Sequence, residues 1–338
     1  MADYKTLHGS NIEVVASDPS NPINGQVWYN TTSNVMKGFT SNATGAWATG
    51  GTMNTARGGF PGGLGIQTAA ICFGGENPSD YQIVNESYNG TTWTEVGDLS
   101  TKRNQIGSAG ASSTAGLAIA GLNTVQPDYN LKVVESWNGT SWTEVGDLNQ
   151  ERYGPRGAGT ATAALAFTGN IFPSGSPAGP SALTETWNGT AWTEVGDLNT
   201  TRAGGGGIGA TNTAALCAGG KTTEYLAVVE SWNGTAWTEV ADLNLARNEC
   251  GASGSSNTLG LIFGGRVPGY KDETEFWNGT AWTEVADLNT AVGSQGSAKT
   301  GTQSATASFG GNRPAVTAVS EEWNEPVTAT VTFDASDV

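Results

Sequence analysis

The chain has 338 residues, 37% of them hydrophobic and twelve of them tryptophan, enough to bury a sizeable core in one large domain or two ordinary ones. Fifteen basic residues stand against thirty-one acidic ones, and a formal charge of −16 repels phosphate backbones and anionic head groups, so nucleic acid is not an expected partner. No run of about 18 apolar residues is available to cross a bilayer, so membrane insertion is not expected. Forty-nine glycines and many short Val, Thr, Ala and Trp-rich segments give an all-β expectation.

The chain opens on a polar arm, and MADYKTLHGSNIEVV lacks the basic-then-apolar pattern of a secretion signal, so export by that route is not expected. NPINGQVWYNTTSNVMKGF then reads as a hairpin of VWYN and VMKGF about a Thr-Thr-Ser-Asn turn. Residues 1–38 are thus an arm and hairpin outside the repeats that follow. Trp28, Tyr29, Met36 and Phe39 are the candidates for attaching this segment to a larger body. The other reading has the arm pack on the repeats and help to close them.

After the hairpin one phrase recurs: ESYNGTTWTEVGDLS from Glu86, ESWNGTSWTEVGDLN from Glu135, ETWNGTAWTEVGDLN from Glu185, ESWNGTAWTEVADLN from Glu230 and EFWNGTAWTEVADLN from Glu275. A fixed period of this length marks stacked supersecondary units. Measured on the second aromatic of the phrase and beginning at Trp47, the spacings are 46, 49, 50, 45 and 45 residues. Within each period come an Arg ten residues after that Trp, a Gly/Ala/Thr-rich segment, an apolar run closed by glycine, a loop, and the phrase. The apolar runs are AAICFGG (69–75), GLAIAG (116–121), ALAFTG (164–169), AALCAGG (214–220), LGLIFGG (259–265) and TASFGG (306–311), which predicts six sheets.

Four strands per period follow. The Gly-rich segment is strand a, where sheets converge and only small side chains fit. The apolar run is strand b, buried on both faces and so without polar alternation. The phrase is a hairpin of strands c and d, for which Asn-Gly predicts a type I′ turn. Its aromatic pair is placed to wedge between neighbouring sheets, since one sheet cannot cover its own apolar face. An open stack would expose two sheet edges. TGAWATGGTMNTAR around Trp47 is a d strand with no a, b or c before it, whereas the last unit, ending EEWNEP, has those three and meets Pro326 where its turn should be. Trp47 is expected to complete the sixth sheet because it keeps the Trp-to-Arg spacing. The tail VTATVTF (327–333), part of a C-terminal segment 327–338, is the rival for that place.

These features resemble the kelch-type β-propeller: a hydrophobic run ending in Gly-Gly, a later aromatic, a Trp after it, and Asn-x-x-Arg leading into the next unit, over residues 39 to 323. The resemblance implies a six-bladed kelch-type β-propeller over 39–326, closed by the N-terminal d strand. There are departures: Ala120-Gly121 and Thr168-Gly169 replace Gly-Gly, Trp replaces the usual Tyr in five units, and Val292 stands where Arg is expected. The hairpin followed by a Gly-rich array also resembles N-terminal segments of structural and tail-fibre proteins of tailed bacteriophages, marine ones in particular. That likeness implies a virion component assembled in the host cytoplasm. Its arm would join other virion proteins, and the remainder would meet a host surface glycan or protein.

Catalytic groups are scarce. His8 is the only histidine and sits in the arm, so a serine–histidine triad or a two-histidine copper site has no candidates. Cys72, Cys217 and Cys250 have no ligand spacing and read as buried free thiols. Glu95, Glu144, Glu194, Glu239 and Glu284 recur in equal phase, which places one per sheet as a solvated acidic rim. Among the Asn-x-Ser/Thr sequons, those at Asn89, Asn138, Asn188, Asn233 and Asn278 are simply the turn Asn-Gly-Thr, glycosylation is not expected without a secretion signal, and AGGGGIG (203–209) is read as strand a rather than a phosphate loop. No catalytic residue, cofactor or metal is therefore expected. Three readings stay open: a non-enzymatic virion component, a free kelch-type module that binds a protein or glycan, and a glycan-active enzyme with carboxylates gathered in one cleft.

The d–a and b–c connections leave such sheets on one face, the a–b and c–d turns on the other. From the glycine that closes strand b to the strand c aromatic the distances are 13, 16, 18, 12, 12 and 12 residues, with the extra length in LNTVQPDYN (122–130) and NIFPSGSPAGP (170–180). Tyr129 and Phe172 are candidate contacts there. The same face carries Arg57, Arg103, Arg152, Arg202 and Arg247 at the start of strand a. In kelch-type adaptors arginines at this place line an acidic-peptide pocket, and the resemblance implies a ring able to hold carboxylates or sulfates. The alternative is structural, each Arg pairing with the nearby Asp98, Asp147, Asp197 or Asp242, or with loop carbonyls.

Overall fold

The computed structural model describes residues 12–19, 26–41, 45–123, 130–171, 179–302, 304–325 and 328–333. These are strands and turns, with no helix among the described residues. The chain divides into two compact units, Met1–Ala46 with Glu325–Val338, and Trp47–Asn324.

The larger unit is built on six four-stranded sheets, an arrangement that fits a β-propeller. Sheet 1 runs a to d as Gly62–Ile66, Ala69–Phe73, Asn85–Tyr88 and Trp93–Val96, antiparallel throughout. In sheets 2 to 6 strand a is Gly107–Ser112, Arg156–Gly159, Gly206–Thr211, Gly251–Ser256 and Gly296–Ser297. Strand b is Ala115–Leu122, Ala164–Phe167, Ala214–Lys221, Leu259–Phe263 and Ala305–Phe309. Strand c is Asn130–Trp137, Thr184–Trp187, Tyr225–Trp232, Thr274–Trp277 and Ser320–Asn324. Strand d is Trp142–Glu144, Trp192–Glu194, Trp237–Val240 and Trp282–Val285, and sheet 6 takes its fourth strand, Ala46–Thr49, from the far end of the sequence.

Small residues in strand a follow from distance. A β-carbon on Gly157 would lie 2.4 Å from the Ser108 carbonyl oxygen of sheet 2, and one on Gly63 2.4 Å from that of Ser297 in sheet 6. Neighbouring a strands therefore touch backbone to backbone, in the succession sheet 1 to 2, 2 to 3, 3 to 4, 4 to 5 and 5 to 6, and sheet 6 meets sheet 1. Further out, an apolar cluster fills each of the same six junctions. Strand b is buried on both faces, as in Ala164–Phe167, which is why it lacks alternation. Its phenylalanine packs on the d-strand Trp of the following sheet: Phe73 on Trp142 at 4.7 Å, Phe167 on Trp237 at 5.0 Å, Phe263 on Trp47 at 4.8 Å and Phe309 on Trp93 at 5.2 Å between ring centroids. Such aromatic contacts add about 0.5–1.5 kcal/mol each beyond area burial. Tyr88, the one Tyr at a phrase's first aromatic, lies at the junction of sheets 1 and 6, where its hydroxyl donates to Glu322.

The c–d connection departs from the expected two-residue type I′ turn. Trp137 and Trp142 are register partners, which leaves four residues, Asn138 to Ser141, in the loop. Gly139 has φ 93°, whereas Asn138 is not left-handed, as type I′ requires of both central residues. Asn138 Oδ1 instead accepts from the backbone N–H groups of Thr140 and Ser141, and the same side-chain-closed loop recurs at Asn188, Asn233 and Asn278.

The smaller unit is one four-stranded sheet in the order Glu13–Val15, Val27–Asn30, Val35–Ser41, Thr328–Phe333. The expected hairpin is its centre. The first pairing is parallel, the others antiparallel. The C-terminal segment thus pairs with Val35–Ser41, while Ala46–Thr49 lies beside Ser320–Asn324 in sheet 6.

The first glycine of Gly-Gly has a positive φ of 61–65° at Gly74, Gly219, Gly264 and Gly310, and Ala120 and Thr168 hold the same conformation at 55° and 60°. A side chain in this region costs about 1–2 kcal/mol. Thr168 also buries a hydroxyl that has no hydrogen-bond partner, which costs about 1–3 kcal/mol. Against these stand the chain entropy of a glycine and a lost methyl group, together about 1.5 kcal/mol. Thr168→Gly is therefore expected to stabilise the protein by about 1 kcal/mol, read as a higher urea midpoint with unchanged m-value.

Candidate functional site

The five motif arginines are inside the protein. Arg57, Arg103, Arg152, Arg202 and Arg247 are fully buried, and each pairs with the buried Glu that opens the next phrase: Glu86, Glu135, Glu185, Glu230 and Glu275. Arg103 Nη2 lies 2.6 Å from Glu135 Oε1, and the Arg202 and Arg247 pairs measure 2.7 and 2.8 Å. The second nitrogen donates to the carbonyl two residues before that Glu, as Arg103 Nη1 does to Val133 at 2.9 Å. The other carboxylate oxygen accepts from the Asn that ends the preceding phrase (Asn149, Asn199 and Asn244), from Asn54 ahead of sheet 1, or from the Ser100 backbone N–H. The partner is therefore Glu and not the Asp of the Asp-Leu step. Asp98 and Asp197 accept instead from the backbone N–H groups of Asn85 and Thr184, at the first residue of strand c.

In sheet 6, where Val292 replaces the arginine, Arg313 from the b–c connection reaches Glu321 at 2.8 Å. Asn289 caps the other oxygen. The signal in the sequence was the basic residue beside Pro314 in the one period that lacks the motif arginine.

The loop face is where the sheets differ. In sheets 2 and 4 strands b and c extend past the common length, to Leu122 and Lys221. Sheet 3 adds a ribbon of Asn170–Ile171 with Gly179–Pro180, and sheet 5 one of Arg266–Val267 with Gly269–Tyr270. Tyr129 and Phe172 lie outside the described residues. Between the a-strand ends on this face is a hollow of about 180 Å³, whose lining includes Phe60, Gln105, Asn170, Lys221, Asn248 and Glu249.

One cation there was not singled out by the sequence reading. Arg156 opens strand a of sheet 3, at the register position that is glycine in the other five sheets (Gly62, Gly107, Gly206, Gly251 and Gly296). Its guanidinium lies 4.4 Å from the Phe60 ring centroid, and its Nε donates to the Gly205 carbonyl. Burial lowers its pKa to about 10. Lys299, from sheet 6, donates to the carbonyls of Ser108 at 3.2 Å and Gly157 at 3.0 Å, and burial followed by the nearby Arg156 charge lowers it to about 7. The thiols of Cys72 and Cys250 are buried and free, and desolvation raises both to about 12. Glu95, Glu144, Glu194, Glu239 and Glu284 are exposed. Among the described residues no group of three His, Cys, Asp or Glu side chains could hold a metal ion.

In the smaller unit Trp28 is fully buried, its Nε1 donating to Asp18. Asp18 also takes Lys37 and Asn30, and these hydrogen bonds, led by that from Lys37, lower its carboxyl to about 2. Trp28 is thus a core residue. Val14, Tyr29, Met36 and Phe333 are register partners in succession across the four strands and share the other face. Val14 is 65% exposed, Phe333 36%, and Tyr29 and Met36 are half-buried. Nothing is described of the Phe39 side chain.

No protein-family model and no curated protein matches the chain.

Removing one member of a buried ion pair costs about 3–5 kcal/mol, while replacing both by apolar groups costs far less. Arg202→Met alone is expected to lower stability by about that amount, and Arg202→Met with Glu230→Met to recover more than half of it, as measured by urea unfolding of the two variants.

Proposed function

We propose that this chain is a non-catalytic structural and recognition component of a tailed-bacteriophage particle. It is a six-bladed kelch-like β-propeller whose sixth blade is completed by the strand at Trp47. The single observation that carries the recognition role is the divergence of the b–c connections beside the uniform c–d loops. Segments that vary on a constant frame are where partner contacts are made. The ligand class is a host surface glycan or protein. The succession of a-strand contacts and the six junction clusters support the propeller reading, since each sheet has an apolar neighbour on both sides.

Attachment to other virion proteins is assigned to the smaller unit, through the apolar row of Val14, Tyr29, Met36 and Phe333. An aligned row of exposed apolar side chains has reason to be covered by a partner. The arm's likeness to phage N-terminal segments supplies the particle context.

Mass spectrometry of particles purified from infected cells is expected to find the chain, and its absence from them would overturn the reading. The full chain carrying Tyr29→Lys and Met36→Lys is expected to fold and to stay out of particles. Replacement of residues 170–180 by a short Gly-Ser link is expected to leave incorporation intact and to reduce adsorption to host cells at least tenfold.

A further inference from the structure

The a strands also border a second, smaller cavity of about 30 Å³, lined by both Arg156 and Lys299 together with Phe60, Ser108, Gln295 and Ser297. That volume holds about one or two waters or a single small ion, and no carboxylate lines it. Glu249 is the one carboxylate that acts on Arg156, and the two share the lining of the outer hollow, where Glu249 accepts a hydrogen bond from Ser294 at 2.9 Å. Cys250, also in the lining, is a neutral thiol at ordinary pH.

Each cation has a donor to spare. Arg156 is 7% exposed, and its Nη2 is buried without an acceptor. Lys299 gives two of the three ammonium protons to Ser108 and Gly157, which leaves one. Two like charges in a low-dielectric cavity repel strongly, and a counter-charge between them offsets both that repulsion and the burial of each. At this register every other sheet places glycine, so the repeat itself does not require the charge.

We propose that the cavity between Arg156 and Lys299 binds one small inorganic anion of the chloride class, held by Arg156 Nη2 and Lys299 Nζ. The anion completes the packing of the a strands by neutralising two cations that the repeat does not match with acids. A bridging water, shared with the unpaired Gln295 Oε1, is the competing occupant.

Thermal unfolding of the full chain, with sodium chloride replacing sodium gluconate at fixed ionic strength, reads the difference. Above the dissociation constant each tenfold rise in chloride is expected to raise Tm by roughly 3 °C. Arg156→Gly and Lys299→Met are each expected to abolish that dependence. Crystals of the unmutated chain grown in bromide are expected to show an anomalous peak touching Arg156 and Lys299, a readout that does not depend on either variant folding. Equal Tm in chloride and gluconate, a bromide-free cavity, or a variant that keeps the full chloride response would each overturn the proposal.

Discussion

A carboxylate shut away from water must be met by a cation and by donors for its remaining lone pairs, and that requirement organises the larger unit. Each phrase opens on such a Glu. Its arginine arrives on the linker that has just left the preceding sheet, and the Asn three residues earlier on that linker, or Ser100 in the linker to sheet 2, takes the second oxygen. The pair thus holds the path between one sheet and the next against strand c of the sheet being entered, and with it the point at which strand a begins. Sheet 6 shows where the constraint lies. When Val292 takes the arginine away, another guanidinium comes from the b–c connection to the same carboxylate. The buried acid is invariant in the design, and the route by which its cation arrives is not.

The stack of Phe on the following Trp and the backbone approach at Gly63 and Gly157 depend on that phase. With the linker fixed, adjacent a strands lie close enough that a β-carbon on these glycines has no room. Strand b then has apolar neighbours on both sides and needs no polar alternation. The repetition of the phrase is the consequence: every sheet must present the same acid and an aromatic pair to its neighbours.

Much of this was legible in the sequence because a period of 45 to 50 residues leaves its mark on several residue types at once. The order of the strands, the six apolar runs, the small residues of strand a and the N-terminal hairpin all follow from it. The arginine's partner did not. Asp98 and Glu86 both lie in the phrase, and only the side on which strand c turns its alternate residues selects the Glu. The Asn-Gly loop was mistyped because Asn138 closes it with its side chain, which a dipeptide pattern does not distinguish from a backbone turn. Trp28 was grouped with Tyr29 and Met36 as a contact candidate, yet strand parity puts it with Asp18 and puts Tyr29 with Met36 on the opposite face. Arg156 was hidden in a Gly-rich segment, and it stands out only when that segment is set in register with the five glycines beside it.

The same division explains where variation is tolerated. The acid pairs, the aromatic stacks and the close a-strand contacts lie in the sheets and their d–a linkers, so a b–c connection can lengthen, form a ribbon or carry a basic residue without disturbing any of them. A loop of doubled length adds only about 0.6 kcal/mol of closure entropy, less than the loss of a single buried pair by several fold. Sheet 6 is the exception, since its b–c connection supplies Arg313, and that connection is among the three shortest. Contact surface can therefore diverge on five sheets and is held on the sixth, which gives the loop face one constrained side and an otherwise free rim.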